Sequence, residues 1–468
     1  MQLGDVFDNE SFDVFTASVE VDRVEVDSRQ CEFPTLFFAL QGTTTDGAKF
    51  AAHAVDRGAV AIVATHSIKS PVPVVVMPES RIYAALTHAS KILSGHPEVG
   101  IDVIGVTGTN GKTSVSVLVA QLARVLQWNG ATIGTLTNER TTPAAPELYR
   151  TFARVRTDFD SQRPKSVIAL EVSSHALVQH RVEGTHFSVV AFTNLSHDHL
   201  DYHHTMEDYF AAKTRLFQPE FSQRAVIWVD DPYGARLAET TSLAVAPVSR
   251  RDASDVASTL GGTVFFWRGH LVNTTLIGDY NVDNALMAMT IVSELGASDA
   301  AVAGAMSEVE AVPGRFEVVY HGEFTVIVDY AHTPQGLERL LQSVRSLSAG
   351  RVVTVFGCGG ERDTAKRSVM GRVASELSDV TIVTSDNPRG EPPDAIIDAI
   401  VAGAIVSAHV VRQVDRRAAI AQAVRTAQTG DVVVVAGKGH ETTQTFAEGV
   451  VAFDDREVVR ELVREKQC

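Results

Sequence analysis

Short apolar runs alternate with segments of helical spacing along most of the chain. The last third shows this most clearly, with apolar runs at 325–328, 351–356, 380–384 and 431–436 separated by helical repeats near 336–347, 366–377 and 394–404. Near-continuous apolar strands with helices between them are typical of a parallel sheet covered on both faces. The hydrophobic pattern therefore predicts an α/β fold.

Two turn-forming segments divide this pattern into three blocks. His96-Pro97-Glu98 favours a linker, because a proline disfavours helical geometry in the residue before it, and Pro313-Gly314 favours a turn. The first block has predicted strands at 24–26, 36–40 and 72–77 and helices at 51–57 and 81–93; the second has strands at 101–106, 166–170 and 189–192 and a helix at 281–294. We expect three α/β domains, 1–98, 99–312 and 313–468, with a mostly parallel sheet in the central one.

The length of the chain fits this division into three domains, and its charge restricts the classes of ligand that it can bind. The 468 residues correspond to about three domains of roughly 150 residues each. With 41 basic and 57 acidic residues, the net charge of −16 repels nucleic acid and anionic lipid. Small phosphorylated ligands remain possible partners, because backbone N–H groups can hold them locally.

The cysteines and the N-terminus indicate a cellular compartment. Cys31, Cys358 and Cys468 are too far apart in sequence for a disulfide framework or a metal-binding pair. The first residues lack the features of a signal peptide, and no apolar run approaches the roughly 18 residues that span a bilayer. We expect a cytoplasmic protein without a membrane span.

A glycine-rich segment, Gly105–Ser114 (GVTGTNGKTS), joins a predicted strand to a predicted helix over 115–128, which Gly130 can cap. Val106 stands where the strict P-loop pattern requires glycine, so that pattern is not met. The strand–loop–helix context nevertheless predicts a phosphate-binding loop.

The residue types in this loop suit a nucleotide. Gly108 and Gly111 let backbone N–H groups turn towards phosphate at the start of a helix. Lys112 can reach the outer phosphates, and the Thr113 hydroxyl can ligate Mg²⁺.

A histidine-rich region follows. Glu171 ends an apolar strand, where active-site residues of open α/β sheets lie, and together with His199 it is predicted to bind a divalent metal. His197 and His199 also permit a metal-dependent hydrolase, although Tyr202 stands where that pattern requires histidine.

The remaining candidates of this region are weaker. His203 and His204 are interpreted as members of a polar loop that satisfy backbone groups. Lys213 lies on a predicted helix, and by itself it would be an exposed lysine.

Taken together, these segments closely resemble the Mur ligase family of peptidoglycan synthesis. The resemblance rests on GVTGTNGKTS (105–114), EVSSHALVQHR (171–181), FTNLSHDHLDYH (192–203), YFAAK (209–213), GDYNVDNALMA (278–288), PGRFE (313–317), VDYAHTP (328–334), GCGGERD (357–363), DNPR (386–389) and GKGHE (437–441). It implies a uridine-nucleotide-binding N-terminal domain, a central P-loop-like ATPase domain and a C-terminal Rossmann-like domain that binds an amino acid.

The resemblance also implies a set of site residues. The uridine-linked muramoyl dipeptide would contact Val26, Ser28, Thr43, Thr44, Thr45, Thr141, Thr142, Ser173, Gln179 and Arg181. ATP would contact Gly108, Thr109, Asn110, Gly111, Lys112, Thr113, Ser114, Asn284, Arg315 and Asp329. Mg²⁺ would be held by Thr113, Glu171, His199 and a carbamylated Lys213, and the catalytic group would be Lys112, Glu171, His199 and Lys213.

Within the family the segments most resemble the members that add the third residue to UDP-N-acetylmuramoyl-L-alanyl-D-glutamate. ATP would activate the D-glutamyl carboxylate as an acyl phosphate, which an amine then attacks. The third residue is expected to be meso-diaminopimelate, because Arg389 offers a guanidinium to its distal carboxylate. The full set implied for this amino acid is Arg362, Asp386, Asn387, Pro388, Arg389, Gly437 and Glu441.

Several alternatives stay open on sequence grounds. The same ligase could add L-lysine, a folylpolyglutamate-synthetase-like enzyme shares the ATPase architecture, and the metal-dependent hydrolase is a different class. A nucleotide-binding module without turnover is a further possibility. As partners we expect only these small molecules, acting on a monomer.

Overall fold

The computed structural model describes residues 1–7, 13–42, 45–138 and 140–467. Three blocks follow each other along the chain, and each is built on its own mainly parallel sheet. The structure confirms the α/β class expected from the hydrophobic pattern.

The first block is a four-stranded parallel sheet in the order β1-β2-β3-β4. Its strands are β1 (Arg23–Glu25), β2 (Thr35–Ala39), β3 (Ala59–Ala64) and β4 (Val74–Val76), and its helices are α1 (Leu3–Val6), α2 (Val14–Ala17), α3 (Ala51–Asp56) and α4 (Glu79–Leu93). Ile82 and Leu86 of α4 belong to one apolar core with Leu148 and Phe152 of the next block. The first two blocks are therefore packed together through a shared core.

The central block contains a six-stranded parallel sheet in the order β10-β9-β8-β5-β7-β6. Its strands are β5 (Asp102–Thr107), β6 (Asn129–Ile133), β7 (Ser166–Glu171), β8 (Val189–Phe192), β9 (Arg224–Trp228) and β10 (Ala244–Val248). Its helices are α5 (Lys112–Val125), α6 (Ala145–Thr157), α7 (Ser174–Val178), α8 (Leu200–His203), α9 (Met206–Thr214), α10 (Pro232–Thr240), α11 (Asp279–Glu294) and α12 (Asp299–Ala305). A small antiparallel sheet follows β10 and comprises β11 (Ala253–Thr259), β12 (Gly262–Trp267) and β13 (His270–Thr274).

The last block has a six-stranded sheet in the order β14-β15-β19-β16-β17-β18, in which only β14 runs antiparallel. The strands are β14 (Glu317–His321), β15 (Thr325–Asp329), β16 (Val352–Phe356), β17 (Val380–Val383), β18 (Val410–Arg412) and β19 (Val432–Ala436), with a hairpin of β20 (Thr443–Phe446) and β21 (Gly449–Ala452). The helices are α13 (Pro334–Leu347), α14 (Lys366–Leu377), α15 (Pro393–Val401), α16 (Arg416–Thr426) and α17 (Asp455–Gln467).

The prediction for the end of the phosphate-loop helix is wrong. Helix α5 ends at Val125, and Gly130 lies within strand β6 instead of capping the helix. A Cβ at Gly130 would lie 2.2 Å from the Ala120 carbonyl oxygen, so glycine is needed for close packing of this strand on α5. None of the described helices is long and apolar enough to cross a lipid bilayer.

Candidate active site

The glycine-rich loop connects β5 to α5 and begins the site. Gly111 precedes the helix with a φ of 86°, and a Cβ there would lie 2.5 Å from Oδ1 of Asn284. Gly108 has a φ of 147°, and its Cβ would lie 1.9 Å from Oγ1 of Thr193. Left-handed backbone and close neighbours both require glycine at these positions, which keeps the loop tight around the start of α5.

Lys112 folds back over this loop. Its Nζ donates to the carbonyl oxygens of Gly108 and Thr109, both at 2.9 Å. Burial lowers the pKa of Lys112, while the charges of Glu171 and Asp198 act in the opposite direction. The ammonium is thus held at the mouth of the loop, within reach of a phosphate.

Glu171 stands at the end of β7, as the sequence predicted, and is 1% exposed. Its Oε2 accepts hydrogen bonds from Oγ1 of Thr113 (2.9 Å) and of Thr135 (3.2 Å), and its Oε1 accepts one from the Thr135 backbone N–H (2.8 Å). A buried carboxylate beside the Thr113 hydroxyl provides hard oxygen ligands of the kind that Mg²⁺ prefers.

Lys213 lies behind the loop on helix α9 and is 1% exposed. Its Nζ donates to the Gly108 carbonyl oxygen at 2.8 Å and lies 4.6 Å from the centre of the Tyr209 ring. Burial, reinforced by the charge of Lys112, holds its pKa well below the ordinary lysine value. The expectation of an exposed lysine, drawn from Lys213 alone, is wrong.

His199 lines the same cavity as Lys112 and Glu171, and its backbone is left-handed (φ 54°). Burial lowers its pKa to about 4, so the imidazole is neutral at pH 7 and can act as a ligand. His203, four residues later, is buried and bonds Oγ of Ser174 at 2.8 Å. This contact is to a side chain, whereas the sequence interpretation expected backbone contacts.

A second network extends from β7 and α7. Thr142 is fully buried and donates to the Glu171 carbonyl oxygen at 2.8 Å, and its Oγ1 accepts the Ser173 backbone N–H at 3.0 Å. Arg181 donates to the Thr142 carbonyl oxygen (2.8 Å) and to Oε1 of Gln179 (2.6 Å). These four predicted dipeptide residues therefore form one connected group next to Glu171.

The predicted uridine contacts belong to the first block. Ser28 is buried, and its Oγ lies 2.9 Å from Nδ1 of His53. Val26 follows β1, and Thr45 accepts the Gly42 backbone N–H at 3.0 Å through its carbonyl oxygen. Thr43 and Thr44 lie outside the described residues.

The last block contributes Arg315 and Asp329 to the phosphate-loop side. Arg315 donates weakly to Oγ1 of Thr113 (3.4 Å) and lies 4.1 Å from the Tyr330 ring centre. The Asp329 carboxylate accepts from the N–H groups of Phe316 (2.6 Å) and Ala331 (2.7 Å). Asp329 thereby fixes the turn next to Arg315.

A polar pocket lies at the ends of β17 and β19. Asn387 donates through Nδ2 to Oε2 of Glu441 at 2.9 Å, and Nζ of the fully buried Lys438 donates to the same oxygen at 2.8 Å. Lys438 also donates to Oδ1 of Asn387 (3.2 Å) and to the Thr443 carbonyl oxygen (2.6 Å). The carboxylate is thus held in one orientation by two donors.

Arg389 borders this pocket with a left-handed backbone (φ 53°). Its guanidinium donates to the Gly360 carbonyl oxygen at 2.7 Å, and its backbone N–H donates to the Thr445 carbonyl oxygen at 3.0 Å. Only one guanidinium nitrogen makes hydrogen bonds to the described protein, so the remaining donors are available to a carboxylate.

One cavity of about 450 Å³ joins these groups between the central and last blocks. Most of the predicted site residues line it: Thr109, Asn110, Gly111, Lys112, Thr113, Ser114, Thr141, Glu171, Ser173, His199, Asn284, Arg315, Asp329, Arg362, Asp386, Asn387, Arg389, Gly437 and Glu441. The predicted residues that do not line it are Val26, Ser28, Thr45, Gly108, Thr142, Gln179, Arg181, Lys213 and Pro388. The phosphate loop and the pocket of Arg389 therefore face each other across one space.

Four residues of this region were missed by sequence reasoning. Asp198, His332 and Lys366 line the cavity, and Lys438 orients Glu441. All four lie within or next to segments that carry the family resemblance, but position alone did not distinguish a cavity residue from a structural one.

Comparison with known proteins agrees with this architecture. Family models described as "Mur ligase family, catalytic domain", "Mur ligase middle domain" and "Mur ligase, glutamate ligase domain" match residues 20–103, 106–292 and 314–439. The UDP-N-acetylmuramoyl-L-alanyl-D-glutamate–2,6-diaminopimelate ligase of Geobacillus kaustophilus is 43% identical, with 95% of each chain covered. The enzyme of that name from Aquifex aeolicus is 39% identical, covering 95% of this chain and 94% of its own.

A solved structure of a UDP-N-acetylmuramoyl-L-alanyl-D-glutamate–2,6-diaminopimelate ligase superposes on this chain with a TM-score of 0.70. Its sequence is 30% identical, and the match covers 100% of this chain and 99% of that one. Fold and site define a three-block ligase whose glycine-rich loop faces the pocket of Arg389 and Glu441. The chain belongs to the Mur ligase family.

Proposed function

We propose that this ATP-dependent ligase joins meso-2,6-diaminopimelate to UDP-N-acetylmuramoyl-L-alanyl-D-glutamate in the synthesis of a peptidoglycan precursor. One observation carries the proposal: the pocket of Arg389, Asn387 and Glu441 opens into the same cavity as the phosphate loop. Relatives about 40% identical over nearly the whole chain bear the name of this activity.

The pocket has the charges that this amino acid requires. Arg389 offers free guanidinium donors to a carboxylate, and Glu441 offers a carboxylate that can accept from an ammonium group. The distal end of meso-diaminopimelate carries both groups, whereas L-lysine has no distal carboxylate to pair with Arg389. The geometry therefore favours diaminopimelate over lysine.

The phosphate-loop side supports the activation step. A carboxylate does not react with an amine directly, so the D-glutamyl carboxylate is first converted to an acyl phosphate at the expense of ATP. Lys112 and Arg315 line the cavity and would offset the negative charge on the transferring phosphoryl group. The network of Thr142, Ser173 and Arg181 orients the dipeptide carboxylate.

We propose Mg²⁺ as the metal of this site. The buried Glu171 carboxylate, the Thr113 hydroxyl, the neutral His199 and a carbamate on Lys213 would hold it. Mg²⁺ there would neutralise phosphate charge when bound.

The same proposal assigns a ligand to each of the three blocks and an oligomeric state to the chain. Residues 1–98 would bind the uridine nucleotide, 99–312 would bind ATP, and 313–468 would bind the amino acid. We also propose a monomer as the active unit. Cys31 and Cys358 are free and buried, which suits a reducing compartment such as the cytoplasm.

The hydrolase alternative has less support. Nδ1 of His197 lies 3.5 Å from Oδ2 of Asp363, and His197 does not line the cavity that contains His199. Among the residues that the structure describes, no group of three or more His, Cys, Asp or Glu side chains could hold a metal ion. Zinc or manganese bound to the purified protein, detected by elemental analysis, would favour the hydrolase.

The experiment is an assay of ADP release with ATP, Mg²⁺ and UDP-N-acetylmuramoyl-L-alanyl-D-glutamate. It compares meso-diaminopimelate, L-lysine and no amino acid, with the product identified by mass. Release that depends on diaminopimelate supports the proposal, whereas release with lysine alone would contradict the role of Arg389. Release with a pteroate substrate instead would indicate the folylpolyglutamate alternative.

The Arg389→Ala variant tests specificity directly. Loss of a charge-assisted hydrogen bond to carboxylate is expected to raise KM for diaminopimelate about tenfold to a hundredfold, with KM for ATP nearly unchanged. Arg417→Ala, an exposed arginine of the same block, is the control. Equal increases in both Michaelis constants would contradict the assignment.

A further inference from the structure

Lys366 is the first residue of helix α14 and projects into the central cavity from the last block. It is 8% exposed. Nothing in the proposed function uses this side chain, although it lies in the same cavity as Lys112 and Thr113.

Lys366 lacks a partner among the residues that the structure describes. It makes no hydrogen bond or ion pair with any of them, whereas Lys112, Lys213 and Lys438 each donate to protein oxygens. The ammonium of this largely buried side chain therefore has no counter-charge in the described protein, and a bound anion would supply one. Its position in the first turn of a helix is also unfavourable for a cation, because the helix dipole there favours negative charge.

The charge of Lys366 reaches residues of both the central and the last block. It acts on Asp198, His332 and Cys358, and Asp198 is also within the electrostatic range of Lys112. Two lysines from different blocks are thus within electrostatic range of one carboxylate, and all three side chains line the same cavity. The amino-acid pocket has its own cation in Arg389 and its own buried lysine in Lys438.

We propose that Lys366 binds the phosphoryl group that is transferred from ATP and remains bound to it until phosphate leaves. The start of α14 and the ammonium of Lys366 would both face this dianion. Lys366 would then be a catalytic residue that the last block supplies to the site. This assignment rests on the proposed ligase function.

The charge on this group persists through both steps. In the first step, a D-glutamyl carboxylate oxygen bonds to the γ-phosphorus of ATP, the bond from phosphorus to the bridging oxygen breaks, and ADP leaves. In the second step, the amine nitrogen bonds to the acyl carbon, the bond from that carbon to the phosphate oxygen breaks, and the amine proton ends on the departing phosphate. A fixed cation on the phosphoryl oxygens stabilises each of these states.

The test compares the binding of ADP with that of β,γ-methylene-ATP, which carries the third phosphoryl group but cannot transfer it. Both are titrated into the full-length protein with Mg²⁺ and saturating UDP-muramoyl dipeptide. The Lys366→Met variant is expected to bind the methylene analogue about tenfold to a hundredfold more weakly, with ADP affinity unchanged. Lys366→Arg keeps the charge and is expected to restore most of the difference.

Arg372→Met is the matched control, because Arg372 is an exposed cation of the same helix. It is expected to leave both affinities unchanged. Equal loss of ADP and analogue binding in Lys366→Met would overturn the proposal in favour of a structural role. A raised KM for diaminopimelate with both nucleotide affinities intact would overturn it in favour of amino-acid recognition.

Thermal melting supplies a second readout that a structural role would not produce. Because Lys366 is an unpaired charge at the start of a helix, Lys366→Met is expected to raise the Tm of the ligand-free protein while activity falls. A lowered Tm would contradict the proposal. The difference between the two nucleotides does not depend on which amino acid is used, so a wrong amino-acid assignment would leave this test intact.

Discussion

At the scale of single residues, two lysines with lowered pKa values frame the phosphate loop. Lys112 and Lys213 both donate to the Gly108 carbonyl oxygen, from opposite sides of the loop. For both, burial is the main cause of the lowered pKa, and for Lys213 the charge of Lys112 adds to it. A larger fraction of Lys213 is therefore a neutral amine than in an ordinary lysine. The neutral amine is the form that reacts with carbon dioxide.

This argument predicts a carbamate on Lys213. With ¹³C-labelled bicarbonate, the native protein is expected to show a carbamate carbon signal by NMR that disappears in Lys213→Met. Removing this anionic ligand should lower the affinity for Mg²⁺ at least about tenfold. Lys165→Met, which removes a lysine paired with Asp102 at 3.1 Å, is the control and should keep the signal. A signal that persists in Lys213→Met would contradict the prediction.

The positions of candidate residues were predictable where the local sequence indicates them. Glu171 was expected at the end of an apolar strand, and Lys112 after a glycine-rich turn at the start of a helix, and both lie there. The burial of Lys213 involves a residue about a hundred positions away, Gly108. Local periodicity carries no information about such contacts, so burial could not be predicted.

At the scale of elements, one buried ion pair connects the loops of the pocket of Asn387 and Glu441. Arg416 of α16 donates to both carboxylate oxygens of Asp455 in α17, at 2.8 and 2.7 Å, and both side chains are fully buried. The same guanidinium donates to the carbonyl oxygens of Ser385 (3.3 Å) and Ala436 (3.0 Å). These residues lie just before Asp386 and Gly437, so the pair holds the ends of two strands at the pocket.

Removing one member of this pair is expected to destabilise the last block. Asp455→Ala leaves a buried guanidinium uncompensated, which costs about 3–5 kcal/mol in the free energy of unfolding. Glu461→Ala is the matched control, because Glu461 pairs with Arg417 across the same two helices at an exposed position. Loss of that pair should cost at most about 1 kcal/mol.

The chain's tryptophans allow this effect to be located. All three, Trp128, Trp228 and Trp267, lie in the central block, so their fluorescence reports mainly on the unfolding of that block. In urea, Asp455→Ala should unfold earlier by circular dichroism than by fluorescence. The same variant should also have a higher KM for diaminopimelate. Coincident shifts by both probes would contradict an effect confined to this block.

Elements with a strong hydrophobic period were predicted closely, and those without one were missed. The apolar strands β16 and β19 and helices α13 and α14 match their expected ranges to within a few residues. The antiparallel sheet of β11, β12 and β13 was not predicted, because its strands alternate buried and exposed residues instead of forming continuous apolar runs. Gly130 was misassigned because its requirement comes from contact with α5 and not from its neighbours in sequence.

At the scale of the whole molecule, the net charge is negative and the cations of the cavity act locally. The chain carries a net charge of −16, and Lys112, Arg315, Lys366 and Arg389 line one cavity together with carboxylates such as Glu171 and Asp198. The substrates proposed for this cavity carry several negative charges each. Local cations in a low-dielectric cavity attract such ligands, while the acidic exterior disfavours nucleic acid and anionic lipid.

The last block should also make the molecule sensitive to acid through His440. Burial lowers the pKa of His440 to about 3, and the positive charges of Arg315 and Arg456 reinforce the shift. Its ring lies 5.2 Å from that of Tyr330, and its Nδ1 has no hydrogen-bond partner in the described residues. In the unfolded chain the pKa returns to about 6.5, so between pH 6.5 and 3 the unfolded state binds more protons.

The contribution of neutral His440 to the free energy of unfolding is therefore expected to be fully present above about pH 6.5 and to be lost as the pH decreases towards 3. His440→Gln removes this titration, so the slope of Tm against pH between 4 and 6.5 should be smaller than in the native protein, whatever the offset in Tm at neutral pH. His409→Gln, an exposed histidine of the same block, should leave the slope unchanged. Buried carboxylates also titrate in this range, which is why the comparison is of slopes between variants and not of absolute Tm. Identical slopes for the native protein and His440→Gln would mean that the histidine is equally protonated in the folded and unfolded states.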